Sequence, residues 1–135
     1  MVLTYFLYIR SILEQSCVIW HSTLSEEDSI DLERVQKNAL RNILKEKYEN
    51  YENARNILKI ETLTERRENL IKAYAKKCLQ LEQTRDLFPL NDKEHEMRTR
   101  NTEKYKVLHA NTERLRNSTV PYIQRVLNNI KGKTK

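Results

Sequence analysis

A chain of 135 residues has the size of one domain and can bury a core without disulfides or metals. Its single Gly and two Pro exclude an all-β fold, which needs turn residues between many short strands, and one third charged residues fits helices with wet outer faces. Residues 1–62 hold eight Lys/Arg against ten Asp/Glu and residues 63–135 seventeen against nine, so the net +6 comes from the second half and suits a polyanion partner, nucleic acid before membrane, as well as it suits a merely solvated face.

In chain order, the spacing predicts a first helix over residues 3–21. Leu3, Phe6, Leu7, Leu13, Cys17 and Trp20 recur near helical spacing, and Ile9, Ile12 and Ile19 widen the stripe. So wide a stripe is expected to be buried against several neighbours, each Leu or Ile contributing roughly 1.5–3 kcal/mol. The apolar run Val2 to Ile9 lacks a basic leader and a small-residue cleavage site, and is shorter than the roughly 20 residues of a membrane span. An intracellular protein without a membrane segment is expected, in nucleus or cytoplasm.

A second helix starts at Ser25. Asp28 three residues on makes a capping-box-like pair, and Glu26, Glu27 and Asp28 suit the positive end of the helix dipole. Leu32, Val35, Ala39, Leu40, Ile43 and Leu44 define its buried face to about residue 46, and Glu33 stands four residues before Lys37, the favourable order for an ion pair. Residues 48–60 form a third, short helix with Asn50 as N-cap and Tyr51, Ala54, Ile57 and Leu58 inward. Thr62-Leu-Thr-Glu65 is a capping box opening a fourth helix to about Gln83, which buries Leu63, Leu70, Ile71, Tyr74, Cys78 and Leu81.

From residue 84 to 117 the periodicity fades. Leu87, Phe88 and Leu90 around Pro89 form an anchoring plug, and a basic string runs through Arg98, Arg100, Lys104, Lys106, Arg114 and Arg116, with a short alternation at Tyr105 and Val107. A loop this long inside a compact domain is unusual, and a functional or partner-ordered segment is expected rather than core. Ser118-Thr-Val-Pro121 opens the last helix, with Val120, Ile123, Val126, Leu127 and Ile130 on one face and a frayed basic tail after it. The expected architecture is mainly α: a small bundle of about five helices, with a thumb-like part at 1–83, an irregular basic segment at 84–117 and a C-terminal helix at 118–135.

Catalytic chemistry finds little footing. His21, His95 and His109 are scattered, and Cys17 with His21 is one ligand pair without a second. The only Gly, at 132, rules out a phosphate-cradling loop, and the four aspartates are not clustered for two-metal chemistry. Cys17 and Cys78 read as buried thiols rather than a disulfide. No cofactor and no metal are expected. Nucleic-acid binding fits better, because Lys and Arg neutralise phosphates and a tyrosine can stack on an unpaired base. The candidates are Arg66, Arg67, Lys76, Lys77, Arg98, Arg100, Lys104, Tyr105 and Lys106.

One resemblance spans nearly the whole chain. Tyr8-Ile-Arg-Ser-Ile-Leu-Glu14, then Trp20, then Asp31-Leu-Glu-Arg-Val-Gln-Lys-Asn-Ala39 with Arg41, resembles the region just after the polymerase palm in reverse transcriptases of non-LTR (LINE-like, jockey-type) retrotransposons. Ser11 and Gln15 stand where Pro and Tyr are commoner in that family. The likeness continues in the tyrosine-rich bend from Tyr48 to Arg67, in Thr99-Arg100 and in Ser118 to Asn128. It marks Arg10, Glu14, Trp20, Leu32, Glu33, Gln36 and Ala39 as structural motif residues. It implies a helical thumb that grips template–primer backbone beside a palm. The palm's Asp-Asp pair is absent from these 135 residues, as is any Cys/His cluster like the zinc knuckle of some relatives. The expectation is a C-terminal fragment of an RNA-directed DNA polymerase, not an enzyme on its own, with at most sequence-independent affinity for an RNA or DNA duplex backbone. Its other partner is a palm domain or a second copy meeting the N-terminal apolar face. The alternative is a helical structural or interaction module that binds no nucleic acid.

Overall fold

The computed structural model describes residues 1–91 and 104–132. It is mainly α, with no strand among the described residues. The chain divides into two compact units, Met1–Asn69 and Leu70–Lys135. The division falls inside one long helix, Leu63–Gln80, whose buried residues Leu63 and Arg67 belong to the first unit and Ile71, Ala75 and Cys78 to the second.

Unit 1 begins with α1, residues 2–14, whose middle, Tyr5–Arg10, is wound as a π-helix between α-helical Val2–Thr4 and Ser11–Glu14. The first helix does not run unbroken to residue 21. It stops at Gln15, Ser16 takes a left-handed conformation (φ 53°), and α2, Cys17–Trp20, restarts and ends in a 3₁₀ turn, His21–Thr23. A left-handed serine costs about 1–2 kcal/mol against helical geometry, so this stop is imposed by packing rather than by local preference.

The expected burial of this segment is corrected. Tyr5 and Cys17 are buried, but Leu3, Leu7, Tyr8, Ile12 and Ile19 are between 65% and 74% exposed. Hydrophobicity states how much a side chain gains from leaving water, not whether a neighbour is there to receive it. The whole run Val2–Thr23, 22 residues, is long and apolar enough by composition to cross a membrane, whereas the shorter run to Ile9 is not.

Local signals read from the sequence recur for α3 to α5. Ser25 caps α3 (Glu26–Leu44) in a reciprocal capping box with Asp28. Asn50 accepts from the Asn53 amide to cap α4 (Tyr51–Leu58). Thr62 and Glu65 exchange bonds of 3.1 and 3.2 Å at the start of α5 (Leu63–Gln80). The end of α4 is less ordinary: Lys59 sits at φ 53°, and the Ile60 amide reaches back to the Arg55 carbonyl while the Ile60 side chain is buried. With no glycine to spare, the chain closes this turn with a lysine. The core here gathers Tyr5, Ala39, Leu40, Ala54 and Ile60, with Phe6, Ile43, Leu44, Tyr48, Tyr51 and Leu58 packed against it. Ile57, expected inside, is half exposed.

Unit 2 continues α5 and adds α6 (Glu82–Arg85), α7 (Glu113–Arg116) and α8 (Thr119–Gly132). Its core holds Ile71, Ala75, Cys78, Phe88, Tyr105, Ile123 and Leu127. Of the expected plug, Phe88 is buried, but Leu87 and Leu90 are exposed, as are Tyr74 and Leu81 of the expected α5 face. The short alternation at Tyr105 is a single antiparallel bridge to Leu90, not a strand. Side-chain amides of α8 take the place of a neighbouring strand. Asn128 accepts from the Tyr105 amide (2.9 Å) and donates to its carbonyl (3.1 Å). Gln124, buried, accepts from the Leu108 amide and donates to the Leu87 carbonyl, both at 2.8 Å. Buried backbone groups need partners, and two amides one helical turn apart supply them.

Candidate nucleic-acid interface

The seven motif residues all lie in unit 1, where six of them build polar or packed contacts. Arg10 donates to Glu14 (2.6 Å), and Glu14 also receives Arg66 of α5 at 3.3 Å. Gln36, fully buried, accepts from the Tyr5 hydroxyl (2.6 Å) and donates to the Tyr51 hydroxyl and the Glu61 carbonyl, both at 2.9 Å. Glu33 accepts from the Tyr51 hydroxyl and from the Thr64 amide. It is therefore turned to α4 and α5 instead of making the expected pair with Lys37. Ala39 is buried in the core, and the Trp20 ring lies 5.9 Å from the Arg67 guanidinium. Leu32 lines an open apolar groove with Trp20, Leu24 and Val35.

Burial acts on the titrating groups of this network. It pushes the Tyr5 hydroxyl up to about 12, with the Arg10 charge opposing. Burial and the Glu33 carboxylate also raise Tyr51. His21 is lowered by burial and by Arg67, and burial with the Glu14 charge raises Cys17. Neutral phenols, a neutral imidazole and a protonated thiol are what a dry interior favours. Both cysteines are free and buried. Among the described residues no cluster of three or more His, Cys, Asp or Glu is arranged to hold a metal.

The nine expected phosphate- or base-facing residues separate sharply. Arg67 is fully buried and is not a surface cation. Its Nη2 donates to Ser29 (2.9 Å) and Thr64 (3.2 Å) and its Nε to His21 Nδ1 (3.4 Å), while Nη1 has no hydrogen-bond partner. Tyr105 is likewise buried, held by Asn128, so its ring is not available to stack on a base. Arg66 is half-buried and engaged by Glu14. Lys76 and Lys77 are exposed on α5, and Lys104 and Lys106 are exposed on either side of the inward Tyr105. Arg98, Arg100 and the basic tail end lie outside the described residues.

Exposed Arg114 and Arg116 on α7 join these lysines in unit 2. The helix that carries them follows Thr112, which accepts from the Leu115 amide, a cap signal that the basic string masked in the sequence. Unit 2 also has a cleft of about 820 Å³ walled by Leu87, Pro89, Val107, Leu108, Leu115 and Val120, with Lys106 among its lining residues. No Phe, Tyr or Trp ring lines it, so it offers apolar contact but no such stacking platform. The arrangement can neutralise phosphates along exposed lysines and arginines. Comparison with protein-family models, with curated proteins and with solved structures returned no match to the chain.

Proposed function

We propose that the chain is a thumb-like helical module from the C-terminal part of a non-LTR retrotransposon reverse transcriptase, holding the backbone of an RNA or DNA duplex without reading its sequence. The observation that carries this reading is the convergence of the motif residues. Glu14, Trp20, Glu33, Gln36 and Ala39 each take part in the contacts that join α1, α2, α4 and α5 to α3 or to one another, and Arg10 is paired with Glu14 within α1. A motif spread over one unit and serving its internal joints is what a shared scaffold needs. The exposed lysines then supply backbone contacts. The chain's 135 residues contain no Asp-Asp pair, so on this reading phosphoryl transfer belongs to a palm domain and the module acts inside the cell with nucleic acid.

The test is a binding titration against a primer–template duplex between about 50 and about 200 mM salt, where each neutralised phosphate adds about −0.9 to the log–log slope. Replacing Lys76 and Lys77 by Gln is expected to flatten that slope by about 2 and to weaken binding equally for all sequences. Absence of salt-sensitive binding overturns the reading. A second reading, an interaction module that binds no nucleic acid, is favoured by one observation: the exposed apolar side of α1.

A further inference from the structure

The outward face of α1 is built from residues in pairs four apart: Leu3 with Thr4, Leu7 with Tyr8, and Ser11 with Ile12, all exposed. A four-residue step overshoots a full α-helical turn by about 40°. The π-helical winding of Tyr5–Arg10 widens that turn and keeps the pairs closer to one row. Within residues 1–25 the only charged side chains are Arg10 and Glu14, and both are turned away from this row into their mutual pair and the bond from Arg66. The surface that covers the row must therefore be uncharged.

The row is also its own complement. Laid antiparallel on a copy of itself, with a two-fold axis between Leu7 and Tyr8, residue i meets residue 15 − i of the copy. Leu3 then faces Ile12, Thr4 faces Ser11, and Leu7 faces Tyr8. Apolar meets apolar and hydroxyl meets hydroxyl, which is what an isologous two-fold contact requires. We propose that this face pairs with the same face of a second copy of the chain, forming an antiparallel homodimer across α1.

A lipid surface fits less well. Interfacial helices carry Lys or Arg on their polar side, whereas the far side of α1 is tied to its own unit through Tyr5 to Gln36 and Glu14 to Arg66, and the nearest charges after residue 14 are Glu26, Glu27 and Asp28. The area is modest. Four large side chains at roughly 100 Å² each give about 400 Å² per copy, about 800 Å² in total before the flanks, which is smaller than a standard specific interface and fits a weak, reversible pairing. Pairing through this face leaves the lysines of α5 unaltered, so the proposal stands or falls separately from nucleic-acid binding.

Sedimentation equilibrium over a concentration series decides it. The mass is expected to rise from 16.3 kDa towards twice that value in the upper micromolar range. The variant Leu7→Glu with Ile12→Glu should stay at the monomer mass with an unchanged circular dichroism spectrum, since both side chains are exposed and folding does not depend on them. A Thr4→Cys protein mixed with a Ser11→Cys protein should form a mixed disulfide many-fold faster than either alone, which reports the antiparallel register. A monomer at every concentration, equal dimerisation of the glutamate variant, or no preference for the mixed disulfide overturns the proposal. So does a chain that stays monomeric in solution and co-floats with phosphatidylcholine vesicles.

Discussion

Replacing Gln36 by Leu is the most informative single change in unit 1. The two side chains have similar volume, so packing is largely kept, and the loss is polar. Three groups lose their partner: the Tyr5 hydroxyl, the Tyr51 hydroxyl as acceptor, and the Glu61 carbonyl. Tyr5 is 1% exposed and its hydroxyl is left with no water, at a cost of about 1–3 kcal/mol. Tyr51 keeps its bond to Glu33, and Glu61 belongs to an exposed residue, so these two add about 1 kcal/mol together. A destabilisation of about 2–4 kcal/mol is expected, read by urea unfolding with the fluorescence of Trp20, which lies in the same unit. Tyr5→Phe alone orphans only the Gln36 oxygen and should cost about 1–2 kcal/mol. The double variant leaves fewer orphans than the two singles combined, so its loss should fall short of their sum by about 1 kcal/mol or more. Additive effects, or a Gln36→Leu loss below about 0.5 kcal/mol, would falsify the claim that this amide is the joint between α1 and α3. The phenol gives a second readout. Its proton is held more tightly folded, about 12, than at the ordinary value of 10, so this stabilisation is complete below pH 10 and is lost as pH rises through about 12; Tyr5→Phe removes that part of the alkaline loss.

Arg67→Met should destabilise unit 1 by about 1–3 kcal/mol through the lost bonds to Ser29, Thr64 and His21, yet leave the salt slope of duplex binding unchanged; a flattened slope would return this arginine to the surface. Lys59→Gly should raise stability by about 0.5–1 kcal/mol in chemical denaturation, because glycine takes a positive φ freely; an equal loss instead would mean the lysine side chain matters there. Ser25→Ala should cost about 1 kcal/mol. Asp28 and Glu65 are both held below their ordinary values by the hydrogen bonds of their capping boxes, so their contribution is present above about pH 4 and is lost as pH falls further. Helicity followed by circular dichroism should therefore decline in acid, and in Ser25→Ala the Asp28 share of that decline should shrink to the part carried by the backbone amide of residue 25.

The parts of this fold that were legible in the sequence are those written in short range. Ser25 with Asp28, Asn50, and Thr62 with Glu65 announce helix starts because a side chain three residues away satisfies a backbone amide, and tertiary context has little say. The stop at Ser16 was not legible, since no glycine or proline marks it. Nor was the inward turn of Arg67, which stands beside Arg66 in an equally basic string; what separates them is a bonding site made by Ser29 and His21, far away in sequence. Tyr105 carries the same lesson. Flanked by Lys104 and Lys106 it resembles a stacking residue, yet it is buried, with its backbone held by Asn128, 23 residues on, and bridged to Leu90. Lys76, Lys77, Lys104 and Lys106 of the candidate set are exposed in the described chain, as a basic string in the sequence leads one to expect.

The wide turn of α1 has a meaning for insertions and deletions. A π turn is what a helix becomes when it accepts one extra residue without giving up its ends. Removing one residue from Tyr5–Arg10 should let the segment relax to uniform α winding with Val2–Thr4 and Ser11–Glu14 close to their present relative orientation, because six residues wound as π turn about as far as five wound as α. A deletion within α-helical Ser11–Glu14 has no such relief and turns everything before it by about 100°, swinging Tyr5 away from Gln36. The helix can therefore give up one residue in its wide turn and nowhere else.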